Sequence, residues 1–170
     1  MSLEIFSYQV KFHNDLRRML RDYLIFTGEA IRQAPWHHEI EIDKHLKVTL
    51  DNLGDFSPPK GDILIATFND VPAGTATIKM IRPGVAELKR MYVPPEFQGK
   101  KIGEALLVQS IDSASELGAE QILLDTPPPF KPAHGLYQKF GFEFCDEYPE
   151  VGIPDDLKIN WLYMSKFIED

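Results

Sequence analysis

Cysteine is nearly absent from this 170-residue sequence: Cys145 is the single example. One thiol closes no internal disulfide, and there is no clustered cysteine of the kind that holds zinc. No apolar run is long enough to cross a bilayer, and Met1 to Asn14 lacks the charged-then-apolar pattern of a secretion signal. Positive charge is also short. There are 18 Lys and Arg against 26 Asp and Glu, a formal net charge of −8. Nucleic-acid phosphates need a basic surface, so a nucleic-acid partner is not expected. An acidic surface suits a cationic partner, or only keeps the chain in solution. Repeats and low-complexity tracts are missing too. These absences lead us to expect a protein of the reducing cytoplasm with neither membrane nor nucleic-acid partner.

What is present is ordinary globular material. The chain is 44% hydrophobic and 26% charged, enough for one real core, and no internal boundary appears, so residues 1–170 are expected to form one domain. Leu3 to Val10 alternates loosely as a short strand. His13 to Arg32 carries Leu16, Met19, Leu20, Tyr23, Leu24 and Ile31 at three- and four-residue steps, a helical stripe. Glu39 to Leu50 is a second helical segment. Ile63 to Phe68, Ala73 to Ile81 and Val85 to Val93 are strands joined by short turns, an antiparallel meander. Ile102 to Leu117 is a helix that Gly118 ends in a left-handed cap. Gln121 to Asp125 is a buried strand, Pro132 to Phe140 a helix closed by Gly141, and Phe142 to Cys145 and Ile159 to Phe167 the last strands. The expected class is α/β (α+β): a mixed, mostly antiparallel central sheet flanked by helices. The late strands also offer an edge for pairing with a second copy of the chain.

The chemistry concentrates between Ala86 and Glu104. A strand ends, the polar loop Gln98-Gly99-Lys100-Lys101 follows, and a long helix starts at Ile102-Gly103. A helix start leaves backbone N–H groups unpaired and carries partial positive charge. Gly99 and Gly103 bare the backbone there, and Lys100 and Lys101 add full charges, so the turn is a seat for phosphate. The plainer alternative is that the glycines only shape a loop and a close helix contact. The P-loop signature is excluded because Lys101, not Ser or Thr, follows Gly99-Lys100, and no glycine pair of the dinucleotide fingerprint exists. In the strand before the loop the apolar phase moves from Ala86 and Leu88 to Met91 and Val93. An even-to-odd switch implies one extra residue, a β-bulge near Lys89-Arg90 that frees backbone groups for a ligand. Alternatively, Leu88 and Tyr92 face a second apolar layer.

Gln98-Gly99-Lys100-Lys101-Ile102-Gly103 resembles the phosphate loop of the GNAT superfamily of N-acetyltransferases: Arg or Gln, two variable residues, Gly, a variable residue, then Gly or Ala. Lys101 stands where that pattern has its internal glycine. Glu87-Leu88-Lys89-Arg90-Met91-Tyr92-Val93 before it and Leu136-Tyr137-Gln138-Lys139-Phe140-Gly141-Phe142 after it are also family-like, and the order of elements fits from Leu3 to Phe167. The resemblance implies acetyl-CoA as donor and a primary amine, small-molecule or peptide-like, as acceptor. It implies that the pantetheine arm lies in a splay beside the strand at Gln121 to Asp125, against backbone at Met91, Tyr92 and Val93. The diphosphate would meet the amides of Gln98, Gly99, Lys100, Lys101, Ile102 and Gly103. A protein or N-terminal acetyltransferase and a catalytically silent acyl-CoA-binding module are the alternatives.

Direct transfer needs a neutral amine, a stabilised oxyanion and a protonated leaving thiolate. By resemblance Tyr137 is the acid for the thiolate. Glu87, on the central strand, is either a general base or a structural carboxylate that orients its neighbours. His134 shares a helix face with Tyr137 and is either a cofactor contact or a surface histidine. His38, Glu41 and His45 would share a face of the second helix, which suggests a metal, but a solvated face is the better reading and no metal is expected. Asp125 to Phe130 either walls a pocket or only ends its strand, and Cys145 is expected to be a small core residue.

Overall fold

The computed structural model describes residues 1–33 and 35–169. Among them, seven strands form one sheet in the order β1-β2-β3-β4-β5-β7-β6. They are β1 (Leu3–Ser7), β2 (Gly61–Phe68), β3 (Val71–Arg82), β4 (Val85–Tyr92), β5 (Gln121–Thr126), β6 (Glu143–Cys145) and β7 (Leu162–Phe167). Every pairing is antiparallel except β4 with β5, which is parallel. The helices are α1 (His13–Ile31), α2 (Ile42–Asp51), α3 (Ile102–Glu116) and α4 (Lys131–Lys139). None is long and apolar enough to cross a membrane.

The helices cover both faces because both faces of the central strands are apolar. On one face Ile102, Leu106 and Leu107 of α3 pack on Leu64, Ala66, Ile78, Ala86, Leu88, Ile122 and Leu124. Each such fully buried aliphatic side chain stabilises the fold by about 2 kcal/mol. Glycine sets the spacing there. A Cβ on Gly74 would meet Leu106 Cδ1 at 2.9 Å, so only a bare α-carbon lets α3 come this close to β3. On the other face Leu16, Met19 and Leu20 of α1 and Leu46 of α2 bury Phe56, Ile63 and Ile65. Further along that face, Ile31, Val85 and Leu123 meet Tyr148, Trp161 and Tyr163.

The strands expected at Ile63 and Ala73 each start two residues earlier, at Gly61 and Val71, and four further differences from the pattern reading have a local reason. The first strand stops at Ser7, because Val10–Phe12 turns as a 3-10 segment that buries Phe12 and leaves Val10 in solvent. The second helix starts at Ile42, not Glu39, since Glu41 takes a non-helical backbone as its cap. The last strand starts at Leu162, after a 3-10 turn at Asp155–Leu157, and Ile159 is exposed. The strand expected from Phe142 starts at Glu143 because Phe142 leaves the ladder to sink into the core. The expected helix ends hold: Gly118 and Gly141 have φ of +89° and +86°.

Candidate functional site

β4 and β5 pair over only three positions, Val85 with Gln121, Ala86 with Ile122 and Glu87 with Leu123. Both strands then run on unpaired with each other, β4 to Tyr92 and β5 to Thr126, and the sheet opens into a V. The β4 side of the V carries the bulge that the apolar phase predicts. Thr77 pairs with Lys89 and Thr75 with Tyr92, so two residues, Arg90 and Met91, stand opposite Ala76. Arg90 takes φ +51°, a left-handed conformation that swings the strand away from β5. Backbone groups at Arg90 and Met91 therefore leave the regular ladder at the mouth of the opening.

The V is the floor of a cleft of about 920 Å³. Its walls divide by chemistry. One end holds Met91, Tyr92, Val93, Gln98, Gly99, Lys101, Ile102 and Gly103. Gly99 has φ +77° with open space around the Cβ position, and Lys101 has φ +61° as the residue that caps α3. The internal glycine position of the motif is thus left-handed here as well, and Lys101 fills it against the preference of an L side chain. Lys100 is turned away. Its Nζ donates to Glu96 O at 2.7 Å between the rings of Phe68 and Phe97, and it does not line the cleft. Gln98 Nε2 donates to Val93 O at 3.2 Å and ties the loop to the end of β4.

Tyr137 reaches the middle of the cleft from α4 and is buried. Burial, and after it the nearby Tyr23 and Asp125, push its phenol well above the usual tyrosine range, so it holds its proton throughout neutral pH. His134, one turn earlier, faces away. It is buried, not on the surface, and its Nε2 lies 3.0 Å from Thr126 Oγ1 in a hydrogen bond that pins the start of α4 to the end of β5. It does not line the cleft, and burial lowers its pKa.

Glu87 also stands behind the cleft wall. It is 2% exposed, and both oxygens are taken: Tyr148 Oη donates to Oε2 at 2.7 Å and Lys89 Nζ to Oε1 at 2.8 Å. The second end of the cleft, facing α1, contains residues that pattern reading did not select as site residues. Asp125 closes β5, and Trp161 Nε1 donates to its Oδ2 at 2.9 Å. Burial raises the Asp125 carboxyl above the usual range, with the Trp161 bond and Lys89 opposing. Arg90, Tyr23 and Phe26 complete this end. Phe26 of α1 stacks on Phe130 at 4.8 Å between centroids, so the Asp125-to-Phe130 loop does wall the pocket. A charged residue ending the apolar run Ile122-Leu123-Leu124 was the one local signal for Asp125.

The metal reading of His38, Glu41 and His45 fails on geometry. His38 lies outside α2 and its Nδ1 bonds Asp156 Oδ2 at 2.8 Å, while Glu41 pairs with Lys44. Among the described residues no group of three or more His, Cys, Asp or Glu converges as metal ligands. Cys145 is a half-buried free thiol.

Comparison with known proteins gives three findings. The profile of the Acetyltransferase (GNAT) family matches residues 16–142. An uncharacterized N-acetyltransferase of Schizosaccharomyces pombe is 35% identical over 113 residues, 65% of this chain and 69% of the relative. Among solved structures, the PaiA N-acetyltransferase of Thermoplasma acidophilum in complex with coenzyme A superposes with a TM-score of 0.75 at 21% identity, covering 99% of this chain and 100% of that one. A Salmonella typhimurium protein, YncA, solved with its cofactor acetyl-CoA, gives 0.70 at 20% identity over 100% of this chain and 96% of its own.

Proposed function

The chain belongs to the GNAT acetyltransferase family, and on that premise we propose that it moves the acetyl group of acetyl-CoA onto a primary amine of a small acceptor, with residues 1–170 working as one unit. The observation that carries this reading is the V between β4 and β5. It brings the bulged backbone, the open loop before α3 and a protonated Tyr137 onto one cavity.

The fit to the donor rests on this geometry. The unpaired backbone of Arg90 and Met91 suits the amides of a pantetheine arm, as a strand suits an added strand. The start of α3 with Lys101, and the bare Gly99 amide, suit the diphosphate. When bound, acetyl-CoA supplies an acetyl group activated as a thioester. Tyr137 holds a proton at Oη and gives it to the sulfur as the C–S bond breaks and the C–N bond forms. Burial keeps this phenol protonated at neutral pH, so the proton is present when the thiolate needs it. Of the two protons an ammonium acceptor loses, one restores the Tyr137 phenol and one leaves to solvent. Glu87, with both oxygens bonded, acts as a positioning residue that fixes Lys89 and Tyr148.

The Phe26–Phe130 stack across the cleft favours a small acceptor over a protein chain, which needs an open groove. Turnover of acetyl-CoA against a panel of amines and short peptides, followed by thiol release, tests the reading, with calorimetry of acetyl-CoA alone alongside. Binding with turnover supports it, and no binding overturns it. Binding without turnover on any amine or peptide would turn the assignment to a silent acyl-CoA-binding module.

A further inference from the structure

Three charged side chains line the α1-facing end of the cleft, Lys89, Arg90 and Asp125, and Lys89 is neutralised by Glu87 behind the wall. Lys89 and Glu87 form a closed pair at 2.8 Å. Arg90 and Asp125 are left. Among the described residues, the Arg90 guanidinium makes no ion pair or hydrogen bond. It lies 5.0 Å from the centroid of the Phe56 ring, which supports one face of the group and leaves its N–H edges available. Asp125 spends one oxygen on Trp161 and, among the described residues, has no side-chain partner for the other. Both groups are half-buried and both line the cleft. The bulge makes this possible. An extra residue in β4 puts Lys89 and Arg90 consecutively on the same side as α1, whereas a regular strand would send Arg90 to the α3 side.

Two groups of opposite sign, each with hydrogen-bonding capacity left over and held on adjacent strands in a partly dry cleft, are best accommodated by a ligand that answers both. Resting on the transferase reading, we infer that the acceptor is an amino-acid-like zwitterion, whose carboxylate is held by Arg90 and whose ammonium is held by Asp125. The guanidinium edge takes a carboxylate in two parallel N–H···O bonds, which an amide cannot reproduce. Asp125, with its carboxyl pushed upward by burial, accepts the proton that the ammonium must lose before its nitrogen attacks. Arg90 is therefore a specificity-determining residue, and Asp125 a catalytic residue for the acceptor side.

The test uses the full chain with acetyl-CoA and matched acceptors: the α-amino acids, β-alanine and γ-aminobutyrate, each beside its carboxamide and its decarboxylated amine. Product mass and thiol release are read together. The expected result is a kcat/KM for the carboxylate form at least about 30-fold above its amide for the best acceptor. Arg90→Gln should raise KM for that acceptor and reduce the ratio to near one, with Arg90→Lys intermediate; because the ratio compares two acceptors on one variant, it reads acceptor selection apart from any change in donor binding through the Arg90 backbone. Equal or better transfer to carboxamides or simple amines overturns the inference and leaves the transferase standing. Acetyl-CoA binding with no transfer to any of these amino acids overturns it as well. Failure to bind acetyl-CoA overturns the reading beneath it.

Discussion

Tyr137 and Asp125 share one pocket and are shifted in the same direction by the same cause, loss of water. For the phenol this secures a proton; for the carboxyl it makes a proton easier to accept than on a free carboxylate. Tyr137→Phe removes the proton without changing the packing against Phe142. It should lower kcat on the order of 10²-fold while acetyl-CoA affinity by calorimetry stays close to wild type. Asp125→Asn separates stability from activity. A carboxyl whose folded pKa lies above its unfolded value binds more proton in the native state, so its contribution to stability falls as pH rises through that window. The asparagine has no such loss and still offers an oxygen to Trp161. We expect its Tm to exceed wild type at pH 7.5, and to converge with it below about pH 3.9, where the aspartate is neutral in both states. Acetyl transfer by this variant should fall at all pH values. Thermal melts and thiol-release assays across pH check both halves.

At the scale of elements, the bulge and the loop before α3 are the devices that turn a sheet into a site. The bulge was legible in the sequence because apolar periodicity is a strand's strongest signal: Leu88 and Met91 cannot face one side without an extra residue between them. The left-handed helix ends at Gly118 and Gly141 were legible for a similar reason, since glycine there follows a spent apolar stripe. The partners of Glu87 were not. Tyr148 comes from 61 residues away, and no local pattern encodes a contact that depends on how a late loop packs. Nor did periodicity reveal that Lys100 turns back to Glu96, or that His134 is buried against Thr126. Lys101 gives this scale its test. At φ +61° it holds a conformation that costs an L residue about 1 kcal/mol and glycine little, while its charge sits at the end of the cleft next to the start of α3. Lys101→Gly should melt at a temperature equal to or slightly above wild type and bind acetyl-CoA more weakly. The loss should shrink as salt is raised, because the missing term is a screened charge. Calorimetry at two ionic strengths, beside thermal melts, decides it.

Across the whole molecule the same V that makes the cleft weakens the sheet. The halves β1–β4 and β5–β7 pair along three residue positions; the rest of their contact runs through side chains, among them the Tyr148–Glu87 hydrogen bond, and through the helices, with Phe26 of α1 stacked on Phe130. The net charge of −8 gives an anionic donor no general attraction, so the proposed reading draws its affinity from local features: the backbone of β4, the start of α3 and Lys101. A ligand lying in the V touches both halves and adds contacts exactly where backbone pairing stops. Because it binds the folded chain alone, it should stabilise the whole molecule by about 2.7 kcal/mol at a concentration 100 times its Kd, a rise in Tm of roughly 5–10 °C. Hydrogen exchange should locate the effect. Amides of Leu88 to Val93, Leu124 to Thr126 and Gly99 to Gly103 should gain protection with acetyl-CoA, while the edge strands β1 and β6 change little. A Tm shift with protection confined to the outer strands would place the ligand elsewhere and remove the V from the account of function.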